Sequence, residues 1–211
     1  MTEIVAEISG NHGGSLENAI RLIRAAKAAG ADAVKFQCFE PAQLAEKRTG
    51  VVWDGKKQDF TDLLALYGKT YTPKAWFPTL IDEARLVEIP WFSSVFAPED
   101  VDFLEKLNCP RYKISAYEML DPWLIYTVFR TGKPIVISLR PTERVTVLLS
   151  TEYMSDKGKQ IGFSDHTERG WISPGIGMVE RHICLPDVES PDRAFSSTPE
   201  QFAAYVRAIR A

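Results

Sequence analysis

Residues 4–37 read IVAEISGNHGGSLENAIRLIRAAKAAGADAVKFQ, and this one stretch holds a strand, a helix and a second strand. Residues 4–9 form a short apolar strand. The polar, glycine-rich turn Gly10-Asn11-His12-Gly13-Gly14 follows it. Ser15 stands where a helix N-cap belongs. Leu16, Ala19, Ile20, Ile23 and Ala26 then recur at three- and four-residue steps, the period of a helix with one buried face. Gly30 can end that helix, and residues 33–37 (AVKFQ) return to an apolar strand.

The unit repeats. Residues 90–96, 111–116 and 134–139 read as strands. A helix starts at Pro98 and carries Val101, Leu104 and Leu107. Another is capped by Asp121-Pro122, runs to Arg130 and is stopped by Gly132. A long polar insertion, residues 40–72, predicts a short helix over 60–67 and little other regular structure. Insertions of that length in compact domains are usually functional. Thr72-Pro73 opens the next helix, because proline suits the first helical position. Four strand–helix pairs and a fifth strand argue for a parallel α/β sheet or barrel.

Beyond residue 139 the rhythm breaks. Residues 145–151, 161–164 and 178–183 read as strands, but the stretches between them are short or marked by glycine and proline. The link 140–144 has only five residues, whereas parallel neighbours normally need a crossover of about a dozen. Local rules alone therefore give an antiparallel hairpin there. The last helix is clear, with Thr198 as cap, Pro199 next, and Phe202, Val206 and Ile209 as its stripe.

The 211 residues suit one domain spanning 1–211. With 25 basic and 28 acidic residues the net charge is −3, which lacks the signature of a nucleic-acid binder. No run of ~20 apolar residues offers a membrane span. The opening MTEIVAEISG has no basic region ahead of an apolar one, unlike a signal peptide. Cys38, Cys109 and Cys184 are odd in number and form no Cys-x-x-Cys pair, so a reduced, cytoplasmic setting is expected.

Polar residues fall in or just after nearly every predicted strand. Glu7 lies in the first, Lys35 in the second, Ser93-Ser94 in the third, and Lys113 and Ser115 in the fourth with Glu118 beyond. Ser138 ends the fifth, Ser164-Asp165-His166 the seventh, and Glu180 and His182 lie in the eighth. Each has an ordinary explanation: a snorkelling lysine, a turn serine, a structural ion pair. Together they would converge on the mouth of a barrel, where strand C-termini meet. Two lysines and several hydroxyls there suit a phosphate or carboxylate ligand. Two histidines on adjacent strands suit a divalent metal with open positions.

Several blocks resemble the sialic acid synthase family, in family order along nearly the whole chain. They are residues 6–37, residues 92–125 (FSSVFAPEDVDFLEKLNCPRYKISAYEMLDPWLI), GKPIVIS, IGFSDHT, VERHI and PDRAFSSTPEQF. Residues 53–76 (WDGKKQDFTDLLALYGKTYTPKAW) are more similar to the pseudaminic acid synthase branch than to the N-acetylneuraminate branch. The resemblance implies a (β/α)8 TIM barrel that condenses phosphoenolpyruvate with an N-acetylated amino sugar. Carbon 3 of phosphoenolpyruvate attacks the sugar carbonyl, water adds at carbon 2, and phosphate leaves by C–O cleavage. It implies a divalent metal, manganese or magnesium, on His166 and His182. It puts phosphoenolpyruvate on Lys35, Ser94, Lys113, Ser115, Ser138 and Ser164, catalytic carboxylates at Glu7, Glu118 and Glu180, and sugar contacts at Gln37, Tyr153 and Asp192.

Three departures from the family stand out. Lys113-Ile114-Ser115-Ala116 swaps its usual last two residues, which turns one hydroxyl to the other strand face. The helices after the fifth, sixth and seventh strands are reduced to loops or missing. The family's C-terminal antifreeze-like domain has no counterpart in the sequence. A degenerate barrel that binds metal or a phosphorylated ligand without turnover is the alternative reading. On fold, the resemblance favours eight parallel strands over the local hairpin. The stripped side would leave groups such as Val145, Val147 and Leu149 to be covered, with Trp171 and Ile172 nearby, and so implies a homodimer.

Overall fold

The computed structural model describes residues 1–53, 55–139, 145–150, 161–167 and 176–211. Its strands are β1 (Glu3–Glu7), β2 (Ala33–Cys38), β3 (Val52–Trp53), β4 (Lys56–Lys57), β5 (Trp91–Val95), β6 (Tyr112–Ile114), β7 (Ile135–Leu139), β8 (Val145–Ser150), β9 (Ile161–Asp165) and β10 (Met178–His182). Its helices are α1 (Leu16–Ala28), α2 (Pro41–Arg48), α3 (Phe60–Thr70), α4 (Phe77–Leu86), α5 (Pro98–Glu105), α6 (Pro122–Arg130) and α7 (Pro199–Arg210). Eight strands close a barrel in the order β1-β10-β9-β8-β7-β6-β5-β2, and β3 and β4 make a separate hairpin.

The local signals explain the helix ends. Ser15 accepts from the Asn18 amide, Asp121 from the amides of Trp123 and Leu124, and Thr198 and Gln201 form a reciprocal capping box. Gly30 and Gly132 leave α1 and α6 with φ of 90° and 67°, which a side chain would resist. Thr72-Pro73 opens a 3-10 turn, Lys74–Trp76, before α4 begins.

Two expectations need correction. The eight barrel strands are not all parallel: β8 runs antiparallel to both β7 and β9. The antiparallel pairing that the five-residue link demands is what forms, since five residues are too few for a crossover. The resemblance misleads here because closure needs only a paired strand at that place, in either direction. The insertion is also more ordered than its composition suggests, with α2 and the β3–β4 hairpin in addition to α3. α2 escapes the helical period because only Leu44 and Ala45 are buried, against α3 rather than against the barrel. The stretches after β8 and β9, where two helices are expected to be reduced, include residues 151–160 and 168–175, outside the described set, as are Trp171 and Ile172. Val147 is half-buried.

The barrel interior is layered. Val5, Ala33, Phe92, Val136, Leu148 and Met178 form a buried apolar floor. Below it the Arg111 guanidinium lies 3.9 Å over the Phe92 ring and pairs with Glu3 at 2.8 Å. Side chains two residues on along a strand face the same way. Glu7, Lys35, Ser94, Ser138, Ser164 and Glu180 therefore form the next layer, and all six are buried. The larger core lies outside the barrel, where α1, α4, α5, α6 and α7 press Leu22, Ile23, Phe77, Leu80, Leu104, Leu124 and Phe202 against the strands. All three cysteines are free and buried. Among the described residues, no helix is long and apolar enough to cross a membrane. Leu120, Trp123, Tyr126, Phe129 and Leu139 remain exposed on and beside α6, next to β7.

Candidate active site

A cavity of about 630 Å³ opens over the polar layer. Its inner end is built from strand C-termini, as the alternation along each strand requires. The Lys35 ammonium is ion-paired with Glu7, lies 3.4 Å from Glu180 and donates to Ser94 Oγ at 3.0 Å. Ser164 Oγ donates to Glu180 Oε1 at 2.9 Å, and Gln37 Nε2 donates to Glu7 Oε1 at 3.0 Å. Ser138 Oγ is buried and has no hydrogen-bond partner among the described residues. Lys113 is half-buried, lines the cavity and has no hydrogen bond or ion pair among the described residues. Two lysines around one space, with the Lys113 ammonium and the Ser138 hydroxyl still open, make an anion cradle.

Burial and charge pull the two central carboxylates apart. Burial pushes Glu7 up to about 7, against the pull of Lys35. Burial also works to raise Glu180, but Lys35 and Lys113 outweigh it and hold Glu180 down to about 2. Burial disfavours the Lys35 charge, yet Glu180 and Glu7 more than restore it and its pKa is raised. Lys113 is lowered by burial and by the neighbouring Lys35. One carboxyl able to hold a proton near neutrality beside one fixed anion is the pattern of an acid–base site.

His166 and His182 meet at the rim, with ring centroids 5.1 Å apart and Phe195 against both. Burial lowers the pKa of each, and the nearness of His166 lowers that of His182 further, so both rings are neutral and able to ligate. His182 Nδ1 is buried with no hydrogen bond among the described residues, 3.6 Å from Asp192 Oδ2. No cluster of three or more metal-type ligands occurs among the described residues. A two-histidine set with an orphaned ring nitrogen fits a divalent cation whose remaining positions are left to substrate oxygens.

Most of the residues singled out from the sequence converge here: Glu7, Lys35, Gln37, Ser94, Lys113, Ser115, Ser138, Ser164, His166, Glu180, His182 and Asp192 all line the cavity. The Ser115 hydroxyl donates to Glu118, so it is already engaged there. Glu118 is buried, starts the 3-10 turn Glu118–Leu120 and pairs with Arg48 at 2.7 Å. Tyr153 lies outside the described residues. Ser9, Arg48 and Tyr67 are among the lining residues that sequence reasoning missed. Ser9 holds a left-handed φ of 47°, accepts from Gln37 at 3.0 Å and donates to Asp192 at 2.5 Å. A non-glycine residue strained by roughly 1 kcal/mol or more at a cavity is a common mark of a working site. Arg48 and Tyr67 come from the insertion, and its length was the one available signal.

The fold and site together define a class, the closed α/β barrels with an anion cradle and a histidine pair at their strand C-termini. Within it, residues 22–140 match the NeuB family. The chain is 33% identical to the pseudaminic acid synthase of Helicobacter pylori, over 99% of its own length and 73% of that protein. It is 32% identical to the pseudaminic acid synthase of Campylobacter jejuni serotype O:2, over 98% and 72%. The chain belongs to the NeuB family. The solved N-acetylneuraminic acid synthetase of Leptospira borgpetersenii shares its fold, with a TM-score of 0.76 at 19% identity over 99% of this chain and 82% of that one.

Proposed function

We propose that this protein condenses phosphoenolpyruvate with an N-acylated amino sugar to give a nonulosonic acid of the pseudaminic type. The observation that carries the reading is the pair of lysines with Ser94, Ser138 and Ser164 at the strand ends of a NeuB-family barrel. Lys35, Lys113 and the hydroxyls would neutralise and orient the phosphate and carboxylate of phosphoenolpyruvate. Glu7, poised near neutrality, would hold or release a proton beside the reacting carbons, while Glu180 keeps Lys35 charged. Gln37 and Asp192, tied together through Ser9, would position the sugar. His166 and His182 would hold manganese or magnesium, which supplies Lewis-acid polarisation of a carbonyl oxygen when bound.

The test is phosphate release from phosphoenolpyruvate with manganese and a panel of N-acetylated amino sugars. Release that depends on both the sugar and the metal is the expected result. Tight phosphoenolpyruvate binding without release from any sugar would instead favour the degenerate barrel. The same reading includes a second copy of the chain on the β7–β10 side, supported by the exposed Trp123, Tyr126 and Phe129 beside that flank.

A further inference from the structure

On packing grounds, position 181 calls for an apolar residue. Side chains at 179, 181 and 183 share the outer face of β10 and its continuation. Val179 and Ile183 belong to the apolar core between barrel and helices. Arg181 stands between them and is only 3% exposed. Its register partner on β9 is Asp165, also buried, and the two are ion-paired at 3.2 Å. A buried ion pair at a core position gives little net stability over apolar groups of similar volume, because both charges lose their water. Packing therefore does not account for this arginine.

Its hydrogen bonds do. Nε donates to Ser197 Oγ at 2.6 Å, and Nη1 donates to the carbonyl of Thr167 at 3.0 Å. Ser197 in turn donates its backbone N–H to the carbonyl of His182 at 2.9 Å. Asp165 accepts from the Thr167 amide at 2.8 Å and from the Thr167 hydroxyl at 2.7 Å, which closes a tight turn around His166. Tyr205 of α7 hydrogen-bonds Asp165, and its ring centroid lies 5.2 Å from the guanidinium carbon. One side chain thus ties the residue after His166 to the residue that grips His182. Neighbouring residues on a strand face opposite ways, so the ion pair lies outside the barrel wall and the histidines, the next residue in each segment, face inward.

We propose that Arg181, acting with Asp165 and Ser197, is the positioning residue of the histidine pair. From behind the barrel wall it fixes the spacing and direction of two imidazoles whose centroids are 5.1 Å apart, so that both serve one divalent cation without rearrangement. The ordering is then done at folding rather than at binding. Ligating histidines are commonly oriented by a hydrogen bond to the ring. His182 Nδ1 has none among the described residues, so its support comes through the backbone and the Phe195 ring. The inference rests on the reading of His166 and His182 as metal ligands and adds what holds them in place.

The test reads metal binding by the full chain, with Mn²⁺ alone as probe. Titration followed by electron paramagnetic resonance gives the Kd, and spin-echo modulation detects the imidazole nitrogens coupled to the ion. The parent should show coupling to imidazole. Arg181→Lys keeps a charge for Asp165 but cannot also span Ser197 and Thr167. It should raise the Mn²⁺ Kd by about tenfold to a hundredfold, the usual effect of removing support behind metal ligands, and weaken the imidazole coupling. Inorganic phosphate binding without metal should stay within about twofold of the parent, which shows the barrel is folded. Arg111→Lys disturbs a second ion pair, with Glu3 at the opposite end of the barrel, and is the control for lost stability alone. It should lower Tm and leave the Mn²⁺ Kd within about twofold. Ser197→Ala removes only the acceptor of Nε and carries the test if Arg181→Lys does not fold; it should raise the Kd at least about threefold. A Kd within about twofold of the parent in either folded variant, or an equal loss in Arg111→Lys, would overturn the positioning role. A parent that binds Mn²⁺ without imidazole coupling, or not at all, would overturn the metal reading and this inference with it. Failure of the synthase reading is separate: it would show as imidazole-coupled Mn²⁺ with no phosphate release from any sugar.

Discussion

Replacing Glu7 by glutamine should make the protein more stable while ending its turnover. The glutamine side chain stands in for the protonated acid, since it is neutral and nearly the same shape. In the parent, burial holds Glu7 at about 7 against an ordinary 4.5, so the folded state keeps a proton that the unfolded chain has already lost between those values. Stability from this group is complete below pH 4.5 and drains away as pH rises towards 7. The gap is about 2.5 pH units, or about 3 kcal/mol at 1.36 kcal/mol per unit. Urea titrations of metal-free parent and Glu7→Gln should therefore coincide near pH 4.5. They should separate by about 3 kcal/mol at pH 8, with the variant above. For a chain of this size that is roughly 6–12 °C in Tm. Other groups titrate in both proteins, so the difference isolates Glu7. A difference that does not change with pH, or a variant less stable than the parent at pH 8, would refute the assignment of Glu7 as the site's high-pKa carboxyl.

Lys113→Met should raise the Kd for phosphoenolpyruvate by about tenfold to a hundredfold in calorimetry, as expected for loss of a charge-assisted contact. A change under twofold would remove Lys113 from the cradle. Gly10→Ala would put a Cβ 2.6 Å from Thr70 Cβ, at the end of α3. It should cost about 1–3 kcal/mol by overpacking, read from the urea midpoint. Trp123→Arg should convert a dimer to a monomer in sedimentation velocity. A parent protein that is already monomeric at tens of micromolar would contradict the second copy.

The sequence makes the inner half of the site legible because strand alternation is a strict rule. Val5 and Glu7, Ala33 and Lys35, Phe92 and Ser94, and Met178 and Glu180 are each two residues apart, so floor and cradle follow from one register. The outer half is not legible for a different reason. Arg48 and Tyr67 reach the cavity only because α2 and α3 pack on each other, and nothing local in PAQLAEKR announces a helix with two buried residues. The direction of β8 is the instructive disagreement. The five-residue link states it correctly, and the family resemblance overrules it. Resemblance transfers ligand-facing positions well, because chemistry holds them, and transfers the path between them less well.

The reversed strand also bears on how the chain reaches its fold. β7, β8 and β9 pair as a meander of near neighbours, contacts that cost little loop entropy to close. The seam between β1 and β10 joins segments some 174 positions apart, as where Thr2 donates to the carbonyl of Ile176. Low contact order on one side and a very distant closure on the other predict an ordered assembly. The meander and the α/β units before it form first. The last event is the zipping of β1 to β10, which brings Glu7 level with His182 and so completes the site only when the barrel closes.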